Sequence, residues 1–197
     1  IEAGIKEIIF IISSKKKIIK KYFYNDSFFK KIIKQKSKDK RLKSEYKKIK
    51  NYKKFIKFVY QDKPLGTGDG LLKTKNLIKD RHFLMLLPDD LIIGKNCSKK
   101  MIAIHKKYKS SVMASMKINK KNVSRWGIFK VKQHLSKNNF LIANVVEKPS
   151  VKSAPSNNAV IGRYILPKKI LNNLKNQKKG KDGEVHITDA IQSLILD

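Results

Sequence analysis

Phe55-Ile56-Lys57-Phe58-Val59-Tyr60-Gln61-Asp62-Lys63-Pro64-Leu65-Gly66-Thr67-Gly68-Asp69-Gly70 begins like a strand and ends like the start of a helix. Its first six residues are rich in β-branched and aromatic side chains. Three glycines then fall within five positions, where the chain must turn before a helix running to Lys79. Toward the N-terminus, Ile5 to Ile12 is nearly continuous in its apolar half, the pattern of a strand covered on both faces. Ser13 and Ser14 follow as candidate helix caps, and Ile18, Ile19, Tyr22 and Phe23 recur at helical spacing.

Toward the C-terminus the alternation continues. Phe83 to Leu87 reads as a buried strand ending at Pro88-Asp89-Asp90. Ser98 to Tyr108 reads as a helix, and Ser111 to Lys117, Trp126 to Val131 and Phe140 to Val146 as strands. Ala159 to Leu166 is another strand, with Pro167 expected in the first turn of a helix and a last helix over Thr188 to Leu196. Strands alternating with helices imply an α/β domain: three layers, helix, sheet, helix, Rossmann-like, around a mostly parallel mixed sheet. A length of 197 residues suits one domain, 1–197. Within it, 25–54 reads as a helical Lys-rich insertion, with Phe28, Phe29, Ile32 and Ile33 on one helical face before the sequence dissolves into lysine. The start at Ile1 without a methionine and the stop at Asp197 after an apolar run are expected of a fragment.

The formal net charge is +32, which raises the question of a nucleic-acid partner. The charge is spread rather than clustered, and only Arg41, Arg81, Arg125 and Arg163 among the 47 basic residues carry the forked guanidinium that phosphate and base recognition favours. Lys, Ile and Asn are enriched together, as coding drift toward A/T-rich codons would produce, so no specific nucleic-acid partner is expected. A single cysteine, Cys97, excludes an internal disulfide and a thiolate zinc site, and fits the cytoplasm. His82, His105, His134 and His186 lack metal-site spacing and read as surface or packing residues. The longest apolar runs fall far short of the roughly 20 residues that span a bilayer, so no membrane partner is expected.

In sheets of this kind ligands bind beyond the carboxyl ends of the strands. Three loops occupy that position. In 61–70 the glycines let backbone amides approach a ligand, or simply make a tight turn, while the Gln61 amide can donate to and accept from a base edge. In 88–90, Asp89 and Asp90 repel each other unless a cation or hydrogen-bond donors neutralise them. Their all-oxygen character suits Mg²⁺, and a capping pair for the following turn is the alternative. In Glu147-Lys148-Pro149 the carboxylate can accept from sugar hydroxyls and the lysine can bind phosphate, or the two can form a local ion pair.

In order along the chain, several motifs resemble the sugar nucleotidyltransferase family, and within it the bacterial UTP–glucose-1-phosphate uridylyltransferases. They are Ala3-Gly4-Ile5, Gln61 through Pro64-Leu65-Gly66-Thr67-Gly68, Leu87-Pro88-Asp89-Asp90-Leu91-Ile92 and Trp126-Gly127-Ile128. Val146-Glu147-Lys148-Pro149, Ala154-Pro155-Ser156-Asn157, Gly162-Arg163-Tyr164 and Gly183-Glu184 through Thr188-Asp189-Ala190-Ile191 continue the series. The resemblance implies the nucleotide-diphospho-sugar transferase fold and a homo-oligomer at full length. It implies nucleotide binding by Gln61, Gly66, Thr67 and Asp90, with uracil held by Gln61 and the backbone at Gly66. Asp89 would bind Mg²⁺. Gly127, Glu147, Lys148 and Val160 would hold the sugar phosphate, with Lys148 catalytic. UTP and glucose 1-phosphate would be the substrates, UDP-glucose and pyrophosphate the products.

The chain departs from that pattern in three respects. Thr67, Asp69 and Gly70 stand where the family loop has Leu, His and Ala, and Trp126 replaces a Tyr. The glycine-rich segment that cradles the triphosphate and the later segment that supplies a second metal-binding aspartate are not found, so the chain by itself is expected to be catalytically crippled. Rival readings are a dTTP-using sibling, a degenerate non-catalytic paralogue, and a basic nucleic-acid-binding module acting through Lys34 to Lys54.

Overall fold

The computed structural model describes residues 1–25, 27–36, 38–180 and 182–196, and within these the side chains of Phe28 and Leu196 lie outside the description. The Lys-rich segment expected over 25–54 therefore includes Asp26 and Ser37, which lie outside the described residues. The chain divides into two compact units, one formed by Ile1 with Ile5–Pro64, the other by Glu2–Gly4 with the chain from Leu65 onward.

The first unit is built on two parallel strands, β1 (Ile8–Ile12) and β2 (Ile56–Tyr60), registered from Ile8 opposite Ile56 to Ile12 opposite Tyr60. Between them run α1 (Lys17–Tyr24), α2 (Ser27–Gln35) and α3 (Lys40–Tyr52). Aromatic rings tie helices to strands: Phe10 lies 5.5 Å from Phe23 and 5.6 Å from Phe58, and the Tyr24 hydroxyl donates to Ile56 O at 3.1 Å. α3 forms within the lysine-rich stretch because Asp39 caps it, accepting from Leu42 N–H at 2.9 Å. Ser13 caps a short 3₁₀ turn over Ser14–Lys16 rather than α1 itself.

The second unit contains α4 (Thr67–Leu72), β3 (His82–Leu86), α5 (Cys97–Tyr108), β4 (Val112–Lys117), β5 (Gly127–Ser136), β6 (Asn139–Glu147), β7 (Asn158–Pro167), α6 (Ile170–Asn176) and α7 (Ile187–Leu196). β7 is the spine of a five-stranded sheet, pairing with β3, β4 and β5, while β5 pairs with β6. Ala159, Val160, Tyr164, Ile165 and Leu166 of β7 are buried, as are Ile170, Leu171 and Leu174 of α6 and Ile187, Ala190 and Ile191 of α7. Burying such side chains is worth about 1.5–3 kcal/mol each, so this unit holds most of the apolar core.

The α/β class expected from the sequence holds, with strand directions more mixed than expected. Each described pairing in the five-stranded sheet is antiparallel, and the parallel pairing is β1 with β2. β3 and β4 are joined through α5 as in a parallel unit, but β7 arrives later in sequence and inserts antiparallel between them. Hydrophobic periodicity reports the burial of a strand and carries no information on its neighbour's direction.

Two boundaries also move. Pro167 ends β7 opposite His82 instead of opening a helix, since a terminal ladder position does not need its missing N–H. The helix expected to reach Lys79 stops at Leu72, where Thr74 turns its hydroxyl back to Leu71 O at 2.7 Å and competes with the helical ladder. No helix among the described residues is long and apolar enough to cross a membrane.

Candidate active site

The hairpin of β5 and β6 sets Gly127 directly opposite Glu147, and the pairing of Ile128 with Ala159 brings β7 alongside. A Cβ on Gly127 would lie 3.1 Å from Glu147 Oε2 and 3.3 Å from Val160 Cγ2. Three residues to which the family resemblance gives sugar binding thus converge on one point from three strands. The same point is 3.3 Å from Thr188 Cγ2, a residue that the sequence offers as the start of a helix and as part of a family-like motif, with no site role assigned. Thr188 lies inside α7 and is 7% exposed, and its hydroxyl has no hydrogen-bond partner among the described residues. A buried hydroxyl left so costs about 1–3 kcal/mol. The sequence signals for Thr188 are a polar side chain among the apolar positions of a helix and its place in the motif Thr188-Asp189-Ala190-Ile191.

Lys148 follows at the end of β6, exposed, with φ at +44°. Its N–H donates to Trp126 O at 3.0 Å, which pins the left-handed backbone at the mouth of the hairpin. Lys109 shares a positive φ of 55°, for a plain reason: it caps α5, donating its N–H to His105 O at 2.8 Å. No helix ends at Lys148. A non-glycine residue in this region stores strain, a mark that clusters at ligand-binding positions.

The neighbouring aspartates separate into two roles. Asp90 is half-buried, and its Oδ2 accepts from Gly162 N–H at 2.6 Å. Asp89 is exposed, and its carboxylate makes no hydrogen bond or ion pair with the described residues. Hydrogen-bond donors thus satisfy one carboxylate and leave the other as a bare hard-oxygen ligand at a strand end, which is the chemistry a magnesium ion takes. Tyr164 of β7 is buried beside them: burial first, then the carboxylates of Glu147, Asp90 and Asp89, push its hydroxyl well above the ordinary phenol range. The Asp90–Gly162 bond and the approach of Val160 to Gly127 and Glu147 set the Asp89–Asp90 loop and the Glu147 cradle along the same strand, β7.

The glycine loop serves packing in the second unit. Gly66 has φ +95°, and a Cβ there would lie 2.6 Å from Val185 O, while one on Gly68 would lie 2.6 Å from Leu174 Cδ2. The Gly68 N–H donates to Val185 O at 2.8 Å, Val185 N–H donates to Leu65 O at 2.8 Å, and Thr67 Oγ1 accepts from Ile187 N–H at 3.4 Å. The Gly68 amide is therefore committed to protein. Gln61 belongs to the first unit, where its N–H donates to Ile12 O at 2.9 Å.

His186, read from sequence as a surface or packing residue, groups with Asp182 and Glu184, their ligand atoms within 4.8 Å of one another. The three are turned on themselves. His186 Nε2 lies 2.9 Å from Asp182 Oδ2, and Asp182 accepts from Glu184 N–H at 3.1 Å. The Glu184 N–H first, and His186 second, hold the Asp182 carboxyl below its usual range.

The profile of the nucleotidyl transferase family matches residues 1–197. A UTP–glucose-1-phosphate uridylyltransferase of Mycoplasma pneumoniae is 33% identical over 195 residues, covering 97% of this chain and 66% of that protein. One from Streptococcus pyogenes is 31% identical over 201 residues, covering 98% of this chain and 64% of that protein. The chain thus spans slightly less than two thirds of the length of these relatives. Among solved structures, a UDP-glucose pyrophosphorylase complexed with UDP-glucose superposes with a TM-score of 0.82 at 30% identity, over 98% of this chain and 70% of that one. Matched from its first residue to its last, and carrying the cradle on β5, β6 and β7 in a fold shared with these enzymes, the chain belongs to the nucleotidyl transferase family, among the UTP–glucose-1-phosphate uridylyltransferases.

Proposed function

We propose that this chain serves the transfer of a uridylyl group from UTP to glucose 1-phosphate, forming UDP-glucose and releasing pyrophosphate. The observation that carries this reading is the convergence of Gly127, Glu147 and Val160 on one point, next to a lysine held in strained backbone. A carboxylate acceptor, an apolar wall and the absence of a side chain suit a sugar ring with its hydroxyls. An exposed ammonium beside it suits the sugar's phosphate, which it can approach as a point charge.

The chemistry follows from positioning. An oxygen of glucose 1-phosphate attacks the α-phosphorus of UTP, a new P–O bond forms, and the bond to the β-phosphate oxygen breaks so that pyrophosphate leaves. Such a displacement needs in-line alignment and neutralisation of charge, with no covalent nucleophile. Glu147 orients the sugar by accepting from its hydroxyls. Lys148 holds the attacking phosphate and offsets its charge. Asp89 would hold Mg²⁺, which when bound neutralises phosphate charge. Gln61, Gly66, Thr67 and Asp90 are assigned to the nucleotide, with the Asp90 carboxylate acting through the loop it fastens. We place the reaction in carbohydrate metabolism of the cytoplasm, a setting consistent with a single free cysteine, Cys97.

Calorimetric titration with UDP-glucose, dTDP-glucose and a short DNA duplex tests the reading, alongside pyrophosphate release from UTP with and without glucose 1-phosphate. UDP-glucose is expected to bind at least about tenfold more tightly than dTDP-glucose, a discrimination within reach of one pocket contact. Glu147→Gln is expected to weaken that binding. Preferential binding of the duplex, with no response to UDP-glucose, would overturn the assignment.

A further inference from the structure

Four arginines stand among the 47 basic residues of this chain, and three of them, Arg41, Arg81 and Arg125, are exposed. Arg163 is half-buried and uses its whole fork. Its Nη1 donates to Leu87 O at 2.7 Å and to Gly162 O at 2.8 Å, and its Nη2 donates to Asp90 O. The loop it grips is fastened twice more to the same strand. Leu87 N–H donates to Gly162 O at 2.8 Å, and Asp90 Oδ2 accepts from Gly162 N–H at 2.6 Å. Gly162 allows this close approach, since a Cβ there would sit 2.4 Å from Leu87 Cβ and 2.7 Å from Asp90 Oδ2.

These bonds share one feature. They hold the backbone on both sides of Asp89, at Leu87 and at Asp90, and none engages the Asp89 carboxylate. We propose that Arg163 is a positioning residue that fixes Asp89 for a divalent cation bound together with the nucleotide sugar, an inference that rests on the assignment of the metal to Asp89. A guanidinium is suited to the task because its planar fork reaches carbonyls on both sides of the loop at once, whereas an ammonium on a flexible stem is a point donor. In a chain whose other basic positions are overwhelmingly lysine, the arginine stands where only a fork can bridge.

The test measures how strongly Mn²⁺ and UDP-glucose assist each other's binding. UDP-glucose is titrated into wild type, Arg163→Lys, Arg163→Ala and Asp89→Asn, each in EDTA and in Mn²⁺. Wild type is expected to bind about tenfold more tightly with Mn²⁺, an ordinary coupling between two ligands. Asp89→Asn should abolish that gain. Arg163→Lys should lose most of it while its affinity in EDTA stays within about twofold of wild type. Added guanidinium, at a few millimolar, should restore part of the gain to Arg163→Ala and none to Asp89→Asn.

A folded Arg163→Lys or Arg163→Ala with the full wild-type Mn²⁺ gain would overturn the proposal. Equal loss of affinity in EDTA and in Mn²⁺ would do the same, because a purely structural prop weakens both alike. Failure of both arginine variants to fold would also count against it, since the side chain would then hold the unit and not the loop. Absence of any Mn²⁺ effect in wild type would sink the metal assignment at Asp89 itself, a result distinct from the others and fatal to both.

Discussion

Two regions of the second unit are built around glycines whose missing side chains have opposite consequences. At Gly66 and Gly68 the vacated space is taken by protein: Val185 O lies 2.6 Å from where one Cβ would be, and Leu174 Cδ2 lies 2.6 Å from the other. At Gly127 the space is bordered by the ends of side chains, Glu147 Oε2, Thr188 Cγ2 and Val160 Cγ2, at 3.1–3.3 Å. The first region uses glycine to bring two backbones together and spends an amide, that of Gly68, in doing so. The second uses glycine to keep a point clear beside a carboxylate and two methyl groups. A glycine in sequence announces close approach, and only the atoms around it say whether the approaching group is protein or ligand.

Substitution separates the two most sharply at Gly66. Alanine there meets a carbonyl that cannot move independently of its chain, and must also adopt φ +95°. A left-handed residue costs about 1–2 kcal/mol and an unrelieved overlap about 1–3, so Gly66→Ala is expected to lower unfolding free energy by about 3 kcal/mol. Urea denaturation reads it directly, and a midpoint equal to wild type would erase the distinction. Gly127→Ala meets mainly the far end of Glu147, which can shift. Its stability should fall by no more than about 1 kcal/mol, while UDP-glucose affinity falls at least about tenfold, the effect of one methyl in a fitted pocket. A Gly127→Ala protein that unfolds like Gly66→Ala but keeps its affinity would mean that this cradle too is packing.

The same contrast explains what was legible in sequence. The run Phe83 to Leu87 ending in Asp89-Asp90, and the strand Ala159 to Leu166, are local patterns, and each fell within a few residues of the observed element. That Gly127, Glu147 and Val160 meet was legible only through the resemblance, because 33 residues separate the first from the last and no period links them. Thr188 was not legible as a site residue. A threonine at a helix start has an ordinary use as a cap, and its loss of a partner appears only once α7 is buried. The antiparallel insertion of β7 between β3 and β4 was hidden for a related reason: strand direction depends on partners distant in sequence. The sequence poses Asp89 and Asp90 as a cation site or a capping pair for the following turn; the structure instead ties the Asp90 carboxylate to Gly162 of β7, a partner distant in sequence.

Lys148 sharpens the comparison by asking the reverse question, what happens when glycine is put in. With φ at +44° and an exposed side chain, Lys148→Gly relieves backbone strain and forfeits little packing. Part of that gain is offset by the freer unfolded chain, so the net expectation is a rise in unfolding free energy of about 0.5 kcal/mol. Lys148→Ala keeps the strain and should show no rise, and both should lose UDP-glucose affinity. At Lys109, whose φ is 55° as a helix cap, glycine should bring a similar small gain with affinity intact. A Lys148→Gly protein less stable than Lys148→Ala would show that the backbone here is not strained, and the parallel with Lys109 would fail.

The smallest effect concerns Tyr164, which borders the cradle without lining it. Burial and the carboxylates of Glu147, Asp90 and Asp89 raise its folded-state pKa above the ordinary value of about 10 that applies in the unfolded chain. Below pH 10 both states hold the proton and the shift contributes nothing to the slope of stability with pH. Above it the unfolded chain releases the proton while the folded chain keeps it, so the folded state binds more protons and stability falls as pH rises. The other tyrosines and the many lysines titrate over the same window, which makes the difference between two proteins the meaningful quantity. Tyr164→Phe removes this one contribution, so its urea midpoint should decline less steeply than wild type between about pH 9 and 11, a range set by about one unit on either side of the phenol value. Parallel declines would mean that the ring hydroxyl is reached by solvent and that the three carboxylates do not act on it together, which would loosen the link between the Asp89–Asp90 loop and the Gly127 cradle.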